Sequence, residues 1–600
     1  MFSLIKQLIL LLTPSQRKRL FTLQALVVLM AVMEVVSVSA IGPFIAVIGD
    51  SQILNQENIL GNLYKLSGAD NFNEFIFFSG IAVLFLLFIA AFISIITVWR
   101  LSLFSTKVGA EIGDRLYKHY MFQNWLFHSS GSSAQLTKQI ATETHRMTGQ
   151  ILNPLMQMNA KIVLAVFMLI ALFIFNPMVT LVAICIFTTA YFILYKFVRK
   201  RLAENGRKIS LINTQRYKLM AEGFGGIKDL LLLGRQSNLV EKFAQSGVEL
   251  SYSQGVNQAL AQAPKYFMEL VAYSSVIFLV LYLIKTYDGD LGLILPVLAV
   301  YALAGFKLLP AFQGIYLSLA AIKGGMAAFE SVQNDLKNSI DVNKPQVDHD
   351  TEITPLLIND SIKLNNVNFC YPGKNIPAVK ECTIEIPINK TIGIVGASGS
   401  GKSTIIDLLL GLIVPSSGEL LIDGKPLHTK NIRQWQDKLG FVPQSIFLSE
   451  ASILENIAFG LPKEIVDVER VNEVIKLAHL SELVQSLPDG LDTKVGERGV
   501  QLSGGQRQRI GIARSLYHKA EVLIFDEATS ALDGITEKLI MDAINDFAGK
   551  KTILMVAHRL KTIEKCDIIY LMEDGSVIDS GTFEELKSRN VTFSNMVEHA

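Results

Sequence analysis

The distribution of apolar runs most constrains the fold of this chain. Up to about residue 320, six runs are each long enough to cross a bilayer, which takes about 20 helical residues. We place these runs at 22–49, 75–99, 151–175, 178–198, 266–285 and 291–318. Hydrophobic residues make up 50% of the sequence, yet 18% of all residues are charged, so we expect a polar part beside a membrane part.

The loop charges predict the orientation of these spans. Basic residues precede the first span and follow the second and the fourth; they are Arg17, Lys18, Arg19, Arg100, Lys107, Arg115, Lys118, Arg199, Lys200, Arg201, Arg207 and Lys208. Acidic residues follow the first and fifth spans; they are Asp50, Glu57, Asp70, Glu74, Asp288 and Asp290. The positive-inside rule then places both termini and the two long loops in the cytoplasm. These loops have helical periodicity, so we expect membrane helices that extend into the cytoplasm and are joined by short crossing helices.

Composition and the N-terminal sequence exclude several other classes of protein. A net charge of +1 argues against a nucleic-acid-binding protein, which usually has a basic surplus. The four cysteines are far apart and form no CxxC pair, so we expect neither a disulfide nor a metal site. The first apolar run is followed by basic residues where a signal peptide needs small ones, which favours an interfacial helix that leads into the membrane.

The sequence changes character near residue 337. We predict a membrane domain at 1–336, a polar linker at 337–360 and a second domain at 361–600. In the second domain, strand-like runs such as "TIGIVG", "EVLIFDE" and "KTILMVAHR" alternate with helical stretches, which is typical of a mainly parallel α/β sheet. The Asp-Gly pairs in "LIDGKP" and "LMEDGSVIDSG" predict hairpins.

The second domain contains a phosphate-binding motif. "GASGSGKST", residues 396–404, fits G-x-x-x-x-G-K-[ST] and lies between a strand-like and a helix-like run. Its glycines let backbone N–H groups approach phosphates, Lys402 reaches the β and γ oxygens, and the Ser403 hydroxyl can hold Mg²⁺. A glycine-rich turn without this function is the alternative, and the flanking strand and helix argue against it.

An acidic pair ends the run "EVLIFDEATSALD". Asp526 follows four apolar residues and can anchor Mg²⁺ through water, and Glu527 can polarise the attacking water. Phosphoryl transfer needs mainly positioning and charge neutralisation, and these residues supply both. The predicted cofactors are therefore ATP and Mg²⁺.

Further motifs, in order around the phosphate loop, resemble the ATP-binding domain of ABC transporters. They are "FVPQ" (441–444), "LSGGQRQR" (502–509), "SALD" (530–533) and "VAHR" (556–559), and "VGERGVQ" (495–501) is similar to the exporter subgroup. The resemblance implies that the phosphates are contacted by Gly396, Ser398, Gly399, Ser400, Gly401, Lys402, Ser403 and Thr404. It implies that Tyr371 stacks on adenine and that Glu527, His558 and Gln444 have catalytic roles. It also implies Mg²⁺ contacts from Ser403, Gln444 and Asp526. It also implies that Ser503, Gly504, Gly505 and Gln506 contact the nucleotide of the opposite subunit and that Asp533 crosses the dimer interface.

The implied fold is a six-span α-helical transmembrane domain fused to an α/β P-loop ATP-binding domain, which is the ABC exporter architecture. One such chain is half of a transporter. All its nucleotide motifs are intact, so two copies make two equal sites, and we expect a homodimer in the bacterial inner membrane with its ATP-binding domain in the cytoplasm.

The stretch "YALAGFKLLPAF" (301–312) places Lys307 inside the sixth span. A lysine deep in a membrane helix costs about 2.5–3.5 kcal/mol, so a compensating interaction is expected. Lys307 can snorkel to the inner interface, pair with Glu34 or Glu269, or line a cavity that binds an anionic head group. Arg100 and Lys265 are the other candidates for such a cavity, and Lys161 is a weaker one.

"MEVVSVSAIGPFIAVI" (33–48), "PKYFMELVAY" (264–273) and "YALAGFKLLPAF" resemble the flippases of lipid-linked oligosaccharides. This resemblance implies ATP-driven translocation of an undecaprenyl-pyrophosphate oligosaccharide. Those flippases commonly have arginine where this chain has Lys307, and lysine lacks the bidentate fork. The alternatives are an exporter of lipid A, drugs or peptides with the same architecture, and an ABC ATPase that regulates a membrane partner without transport.

Two further segments each have a functional and a structural interpretation. By resemblance, a helix in 51–66 engages the polyprenyl tail, although it can equally cap the helix bundle. The segment 221–235 is similar to the crossing segment that docks on the ATP-binding domain, although its leucines can simply be core.

Overall fold

The computed structural model describes residues 7, 10–49, 59–67, 71–286, 291–339, 356–496, 499–527, 534–557 and 559–598. The chain divides into two compact units. The first unit comprises 1–123 and 127–346, and the second comprises 124–126 and 347–600. The predicted linker at 337–360 falls largely outside the described residues, and the predicted domain bounds stay predictions.

The first unit is entirely helical in its described residues. Its helices are α1 (Pro14–Gly49), α2 (Ile59–Ser67), α3 (Phe72–Met121), α4 (Trp125–Ser130, whose first two residues group with the second unit), α5 (Ser133–Lys138), α6 (Thr144–Met147), α7 (Asn153–Phe175), α8 (Pro177–Gly225), α9 (Ile227–Leu233), α10 (Gln236–Gln262), α11 (Pro264–Thr286) and α12 (Leu291–Asn338). Two π-helical turns, Gln139–Glu143 and Thr148–Leu152, connect α5, α6 and α7 into one rod.

Six helical rods in the described residues are long and apolar enough to span a membrane, which confirms the predicted number of spans. The 50 residues of α3 extend about 75 Å at ~1.5 Å per residue, far beyond the ~30 Å hydrocarbon core. Only 11% of its most apolar window is buried against the rest of the protein. An apolar surface of that extent is unsuited to water and fits contact with lipid.

The sharp break between α7 and α8 follows from Asn176 and Pro177. Asn176 is extended, and its side-chain oxygen accepts a hydrogen bond from the backbone N–H of Val179 at 3.3 Å, so it caps α8. Pro177 occupies the first turn, where no N–H is needed. The third and fourth spans are therefore joined by a turn of minimal length.

The cytoplasmic extension of α8 packs closely on other helices. Gly206 lies so near α12 that a Cβ built on it would be 2.2 Å from the carbonyl oxygen of Gly324. On the α5–α6 side, the carboxylate of Glu143 is fully buried and pairs with Lys138 at 3.1 Å and Arg146 at 2.8 Å. The Ser210 hydroxyl of α8 donates to the same carboxylate at 2.7 Å, so this buried network ties the third span to the fourth.

The second unit contains two sheets. Its strands are β1 (Ser361–Phe369), β2 (Val379–Pro387), β3 (Thr391–Gly396), β4 (Ser417–Ile422), β5 (Lys425–Pro426), β6 (Leu439–Val442), β7 (Val522–Asp526), β8 (Thr552–Val556), β9 (Ile568–Glu573) and β10 (Ser576–Gly581). One sheet is antiparallel, in the order β2-β1-β4-β5. The other has the order β10-β9-β3-β8-β7-β6 and is parallel except for β10, which confirms the predicted mainly parallel α/β fold.

Helices cover this sheet and complete the second unit. They are α13 (Lys402–Leu409), α14 (Ile432–Gln436), α15 (Ile453–Ile457), α16 (Val468–Leu477), α17 (Ser481–Ser486), α18 (Gly504–Tyr517), α19 (Gly534–Asn545), α20 (Phe583–Arg589) and α21 (Val591–Glu598), with 3₁₀ turns at Lys463–Ile465, Gly490–Asp492 and Leu560–Ile563. The central strands β3, β7 and β8 are almost fully buried, as expected when helices cover both faces of a parallel sheet.

Both predicted hairpins are present. Asp423 and Gly424 join β4 to β5, and Asp574 and Gly575 join β9 to β10. All four residues have positive φ, between 44° and 82°. Two successive positive φ values define the type I′ turn that Asp-Gly favours, so the sequence signal acts through backbone geometry.

Candidate functional site

The phosphate loop connects β3 to α13. Gly401 caps the helix with a φ of 99°, and a Cβ built on it would lie 2.6 Å from the carbonyl oxygen of Ala378. At Gly396, a Cβ would lie 2.3 Å from the carbonyl oxygen of Met572. Both positions therefore require glycine, for its conformation at 401 and for space at both.

Lys402 is held over this loop. It is 6% exposed, and its Nζ donates to the carbonyl oxygens of Gly396 and Ala397, each at 2.9 Å. Burial lowers the pKa of this ammonium, while the nearby carboxylates of Glu527 and Asp526 act in the opposite direction. The lysine is thus a positive charge surrounded by the loop and by the acidic pair.

The loop residues fit a phosphate group. The Ser400 hydroxyl is buried and has no hydrogen-bond partner among the described residues. Ala397, Ser398, Gly399 and Ser403 are exposed on the open side of the loop. A buried unpaired hydroxyl beside a helix N-terminus and a buried ammonium is a site that suits phosphate oxygens.

The acidic pair lies at the end of β7, two strands away from β3 in the same sheet. The backbone N–H of Glu527 donates to the carbonyl oxygen of Val556, and its φ is 48°, in the left-handed region that few non-glycine residues adopt. Gln444, which follows β6, donates from Nε2 to Glu527 Oε2 at 2.5 Å. The structure therefore places Gln444 in contact with the carboxylate that was predicted to polarise water.

Tyr371 lies above the first turn of α13. Its hydroxyl is 3.2 Å from Thr404 Oγ1, and its ring meets that of Phe369 edge to face with centroids 5.0 Å apart. The half-buried ring is therefore fixed beside the phosphate loop, as adenine stacking requires.

The signature residues begin α18. Ser503 caps this helix: its hydroxyl accepts from the N–H of Gln506 at 3.2 Å, and its own N–H donates to Gln506 Oε1 at 2.8 Å. Ser503 is exposed, Gly504 is half-buried and Gly505 is buried. In the described chain, the side-chain hydrogen bonds of Ser503 are only to Gln506, so the exposed N-terminus of this 14-residue helix remains open to a ligand.

Three predicted features lie partly or wholly outside the described residues. His558 and Asp533 are not described, and neither are Glu497 and Arg498 of the exporter-type motif. Among the described residues, no group of three or more acidic, histidine or cysteine side chains forms a metal cluster.

The intramembrane lysine is paired. Lys307 Nζ of α12 lies 2.7 Å from Glu34 Oε2 of α1, and the Ser94 hydroxyl of α3 donates to Glu34 Oε1 at 2.8 Å. The lysine side chain is 35% exposed and that of Glu34 is 11% exposed. Of the open alternatives, the structure selects pairing with Glu34, and sequence reasoning missed only Ser94, because a lone serine in an apolar helix carries no signal.

The other predicted substrate residues are arranged differently. Lys265 lies 3.7 Å from Glu269, one turn along α11, and both are partly exposed. Arg100 is exposed near the middle of α3, and a Cβ built on Gly314 of α12 would lie 3.3 Å from Cγ of half-buried Lys161. The structure therefore joins Lys307 to Glu34 and Lys265 to Glu269.

The two segments with open interpretations are both helical. In α2, Tyr64 packs edge to face on Phe75 of α3 at 5.2 Å, while Leu63 is 50% exposed; Ile53 lies outside the described residues. The segment 221–235 forms the end of α8 and α9, where Leu231, Leu232 and Leu233 are 58–84% exposed. These leucines are therefore not core residues within the first unit.

Comparisons with known proteins agree with this architecture. The family model for the ABC transporter transmembrane region matches residues 22–306, and the ABC transporter model matches residues 379–530. A solved chain described as a bacterial Atm1-family ABC exporter with ATP bound superposes with a TM-score of 0.80 at 20% identity, covering 97% of this chain and 98% of its own.

Similar sequences come from bacteria and plants. The heterocyst differentiation ATP-binding protein HepA of Nostoc is 30% identical over 80% of this chain and 78% of its own length. The ATP-dependent lipid A-core flippase of Shewanella oneidensis is 27% identical over 98% of this chain and 96% of its own. ABC transporter B family member 1 of Arabidopsis is 34% identical, and the match spans 58% of this chain but only 27% of the plant protein.

Proposed function

We propose, since this chain belongs to the ABC transporter family, that it is one half of a homodimeric, ATP-driven flippase that moves a phosphate-bearing glycolipid outward. Membership of this family makes it an ATPase-coupled transporter and a multi-pass inner-membrane protein with a cytoplasmic ATP-binding domain. The observation that carries the proposal is an intramembrane cation, Lys307, combined with a complete set of described nucleotide-loop residues.

For hydrolysis, we assign the phosphates to the backbone of 396–404 and to Lys402, and Mg²⁺ to Ser403 and Gln444 with Asp526 through water. Bound Mg²⁺ neutralises phosphate charge. Glu527 orients and polarises water, held in place by Gln444 at 2.5 Å. His558 is assigned to the γ-phosphate by the family motif alone.

The homodimer follows from the location of the signature. Gly505 and Gln506 are fixed by the cap at Ser503, and among the described residues the Ser503 side chain hydrogen-bonds only to Gln506 of its own helix, which leaves the exposed end of α18 open to a nucleotide from another chain. A second copy supplies the missing half of each site, and the exposed leucines of α9 suit the crossing segment that transmits closure.

For the substrate, we propose an undecaprenyl-pyrophosphate oligosaccharide, with Lys307, Arg100 and Lys265 as candidate contacts and the exposed side of α2 next to the lipid tail. The second candidate is a lipid A-core glycolipid, favoured by relatives of that name that match along nearly the whole chain. Both substrates join phosphate to sugar on a lipid. A hydrophobic drug or a peptide needs no such cation.

Two measurements test this proposal. Mixing Ser503→Arg and Lys402→Ala chains should restore ATPase activity at one of the two composite sites, whereas either variant alone should be inactive. Proteoliposomes should then flip a polyprenyl-pyrophosphate glycan or lipid A-core in an ATP-dependent manner, and the preferred lipid identifies the substrate. ATPase activity without flipping of any lipid would favour a regulatory ATPase instead.

A further inference from the structure

A cluster of cations surrounds α8 where this helix leaves the apolar part of its sequence. We call Lys196, Arg199, Lys200 and Arg201 the α8 collar. All four side chains are exposed, and within the described residues none of them has a salt bridge or a side-chain hydrogen bond. Four unpaired cations within six residues are a strong local field that the protein itself does not neutralise.

The position of the collar along α8 matches the depth of lipid head groups. At ~1.5 Å per residue from Pro177, Lys196 lies about 28 Å and Arg201 about 36 Å along the helix. The hydrocarbon core is ~30 Å thick, and the head groups add roughly 6 Å on each side. Phe192 and Phe197, on either side of Lys196 in the sequence, are 67% and 80% exposed, so apolar surface continues up to the collar.

The opposite side of the helix explains why the collar faces outward. Leu202, Asn205 and Ile209 are buried against neighbouring helices. At ~100° per residue, Lys196 and Lys200 point roughly 150–170° away from the mean direction of these three. Arg199 and Arg201 lie at the flanks, roughly 70–90° from the packed side. Protein packing on one side therefore leaves Lys196 and Lys200 pointing away from the neighbouring helices, with the two arginines beside them.

We propose that the α8 collar binds the head groups of anionic phospholipids in the inner leaflet. The argument is charge complementarity: phosphate diesters are the abundant anions at this depth, and zwitterionic lipids carry no net charge to attract. Each cation near an anionic surface contributes about fivefold, so three of them give on the order of 100-fold in local association. The association weakens as ionic strength rises.

The test uses the full-length chain in phosphatidylcholine vesicles with increasing phosphatidylglycerol content. Spin-labelled phosphatidylglycerol and phosphatidylcholine report which lipid is immobilised at the protein surface. The test variant is Lys196→Gln/Arg199→Gln/Lys200→Gln. The control, Arg207→Gln/Lys208→Gln/Lys218→Gln, removes the same charge from the same helix but beyond the head-group layer.

The wild type and the control should immobilise phosphatidylglycerol in preference to phosphatidylcholine. Because the spin labels report all lipids at the protein surface, we expect the ratio of immobilised phosphatidylglycerol to phosphatidylcholine to fall by about twofold or more in the test variant. An unchanged preference in the test variant, an equal loss in the control, or a wild type without preference would overturn the proposal. So would a change in the oligomer mass of the test variant with its lipid preference intact, since the collar would then be a protein interface.

Discussion

The pair formed by Lys307 and Glu34 permits a quantitative prediction. Lys307→Ala leaves the Glu34 carboxylate, 11% exposed, with the Ser94 hydroxyl but without its counter-ion. Breaking a fully buried pair costs about 3–5 kcal/mol; because the Lys307 side chain is 35% exposed, this pair is only partly buried and we expect about 1–3 kcal/mol. The loss should appear as a lower thermal unfolding midpoint and a lower yield of monodisperse protein.

A double-mutant cycle isolates this interaction. Glu34→Gln retains an oxygen that can accept from Ser94 and removes the charge, so Lys307→Met/Glu34→Gln should recover most of the stability lost in Lys307→Met. The matched control is Lys265→Met with Glu269→Gln, whose pair is longer, at 3.7 Å, and more exposed, so its coupling should be below about 1 kcal/mol. A coupling for Lys307 and Glu34 no larger than that of the control would refute the reasoning.

The same variants separate stability from transport. Lys307→Ala should reduce flipping of a phosphate-bearing glycolipid and leave basal ATPase activity largely unchanged. If Lys307 also binds lipid phosphate, the double variant recovers yield but not flipping, and Lys307→Arg retains flipping because it keeps the charge and adds a fork. Recovery of both yield and flipping in the double variant would reduce Lys307 to a structural role.

Three further predictions concern other parts of the chain. Glu527→Gln should retain ATP binding and lower the rate of hydrolysis by about 10²-fold or more, because water activation is lost. Glu573→Gln, at the end of β9, is the control. Near-normal turnover in Glu527→Gln would show that Glu527 does not activate water. Gly206→Ala should cost about 1–3 kcal/mol by overpacking against α12, whereas Gly255→Ala, in the interior of α10 with open space at its Cβ, should not lower the unfolding midpoint and should stabilise by up to about 1 kcal/mol, because alanine favours the helix. At Asp423, burial raises the carboxyl pKa, but three backbone N–H donors outweigh it and hold the pKa below its usual value. Because the folded-state pKa is lowered, the ionised Asp423 carboxylate stabilises the folded protein above about pH 4, and this stabilisation is lost as the pH falls through the folded-state pKa. Asp423→Asn should therefore reduce the dependence of the unfolding free energy on pH at acidic pH. An unaltered dependence would contradict this.

Sequence alone predicted those features that depend on residues close together in the sequence. The six spans follow from local apolarity, and the hairpins at Asp423 and Asp574 follow from two-residue turn chemistry. The phosphate loop was predictable because its glycines, Lys402 and the flanking strand and helix are contiguous. Glu527 was predicted from its position after the strand-like run "EVLIFDE"; the electrostatic effect of its carboxylate on Lys402 comes from the fold, since the two segments are more than a hundred residues apart in the sequence.

Long-range polar contacts were harder to predict. Glu34 and Glu269 were equal candidates for Lys307, because the sequence does not give the rotation of one helix against another. The buried carboxylate of Glu143 was missed altogether: its partners lie on the same rod at Lys138 and Arg146 and on α8 at Ser210, in a stretch that reads as an ordinary polar helix. Burial there depends on packing between helices, which no local pattern specifies.

The paired state of Lys307 changes how a lipid phosphate can reach it. The Lys307 ammonium already has a carboxylate at 2.7 Å. An incoming anion must replace that carboxylate, so its binding free energy is the difference between two ion pairs and is smaller than the attraction of an unpaired charge. Glu34 is joined to Ser94 of α3 and to Lys307 of α12, so any anion that displaces it also loosens a link among three membrane helices. For a transporter, that link is an advantage, because substrate binding and a change in helix packing then share one contact. The cost of inserting the lysine is therefore met by Glu34, and a lipid phosphate bound as we propose would reach only the third of the Lys307 side chain that is exposed.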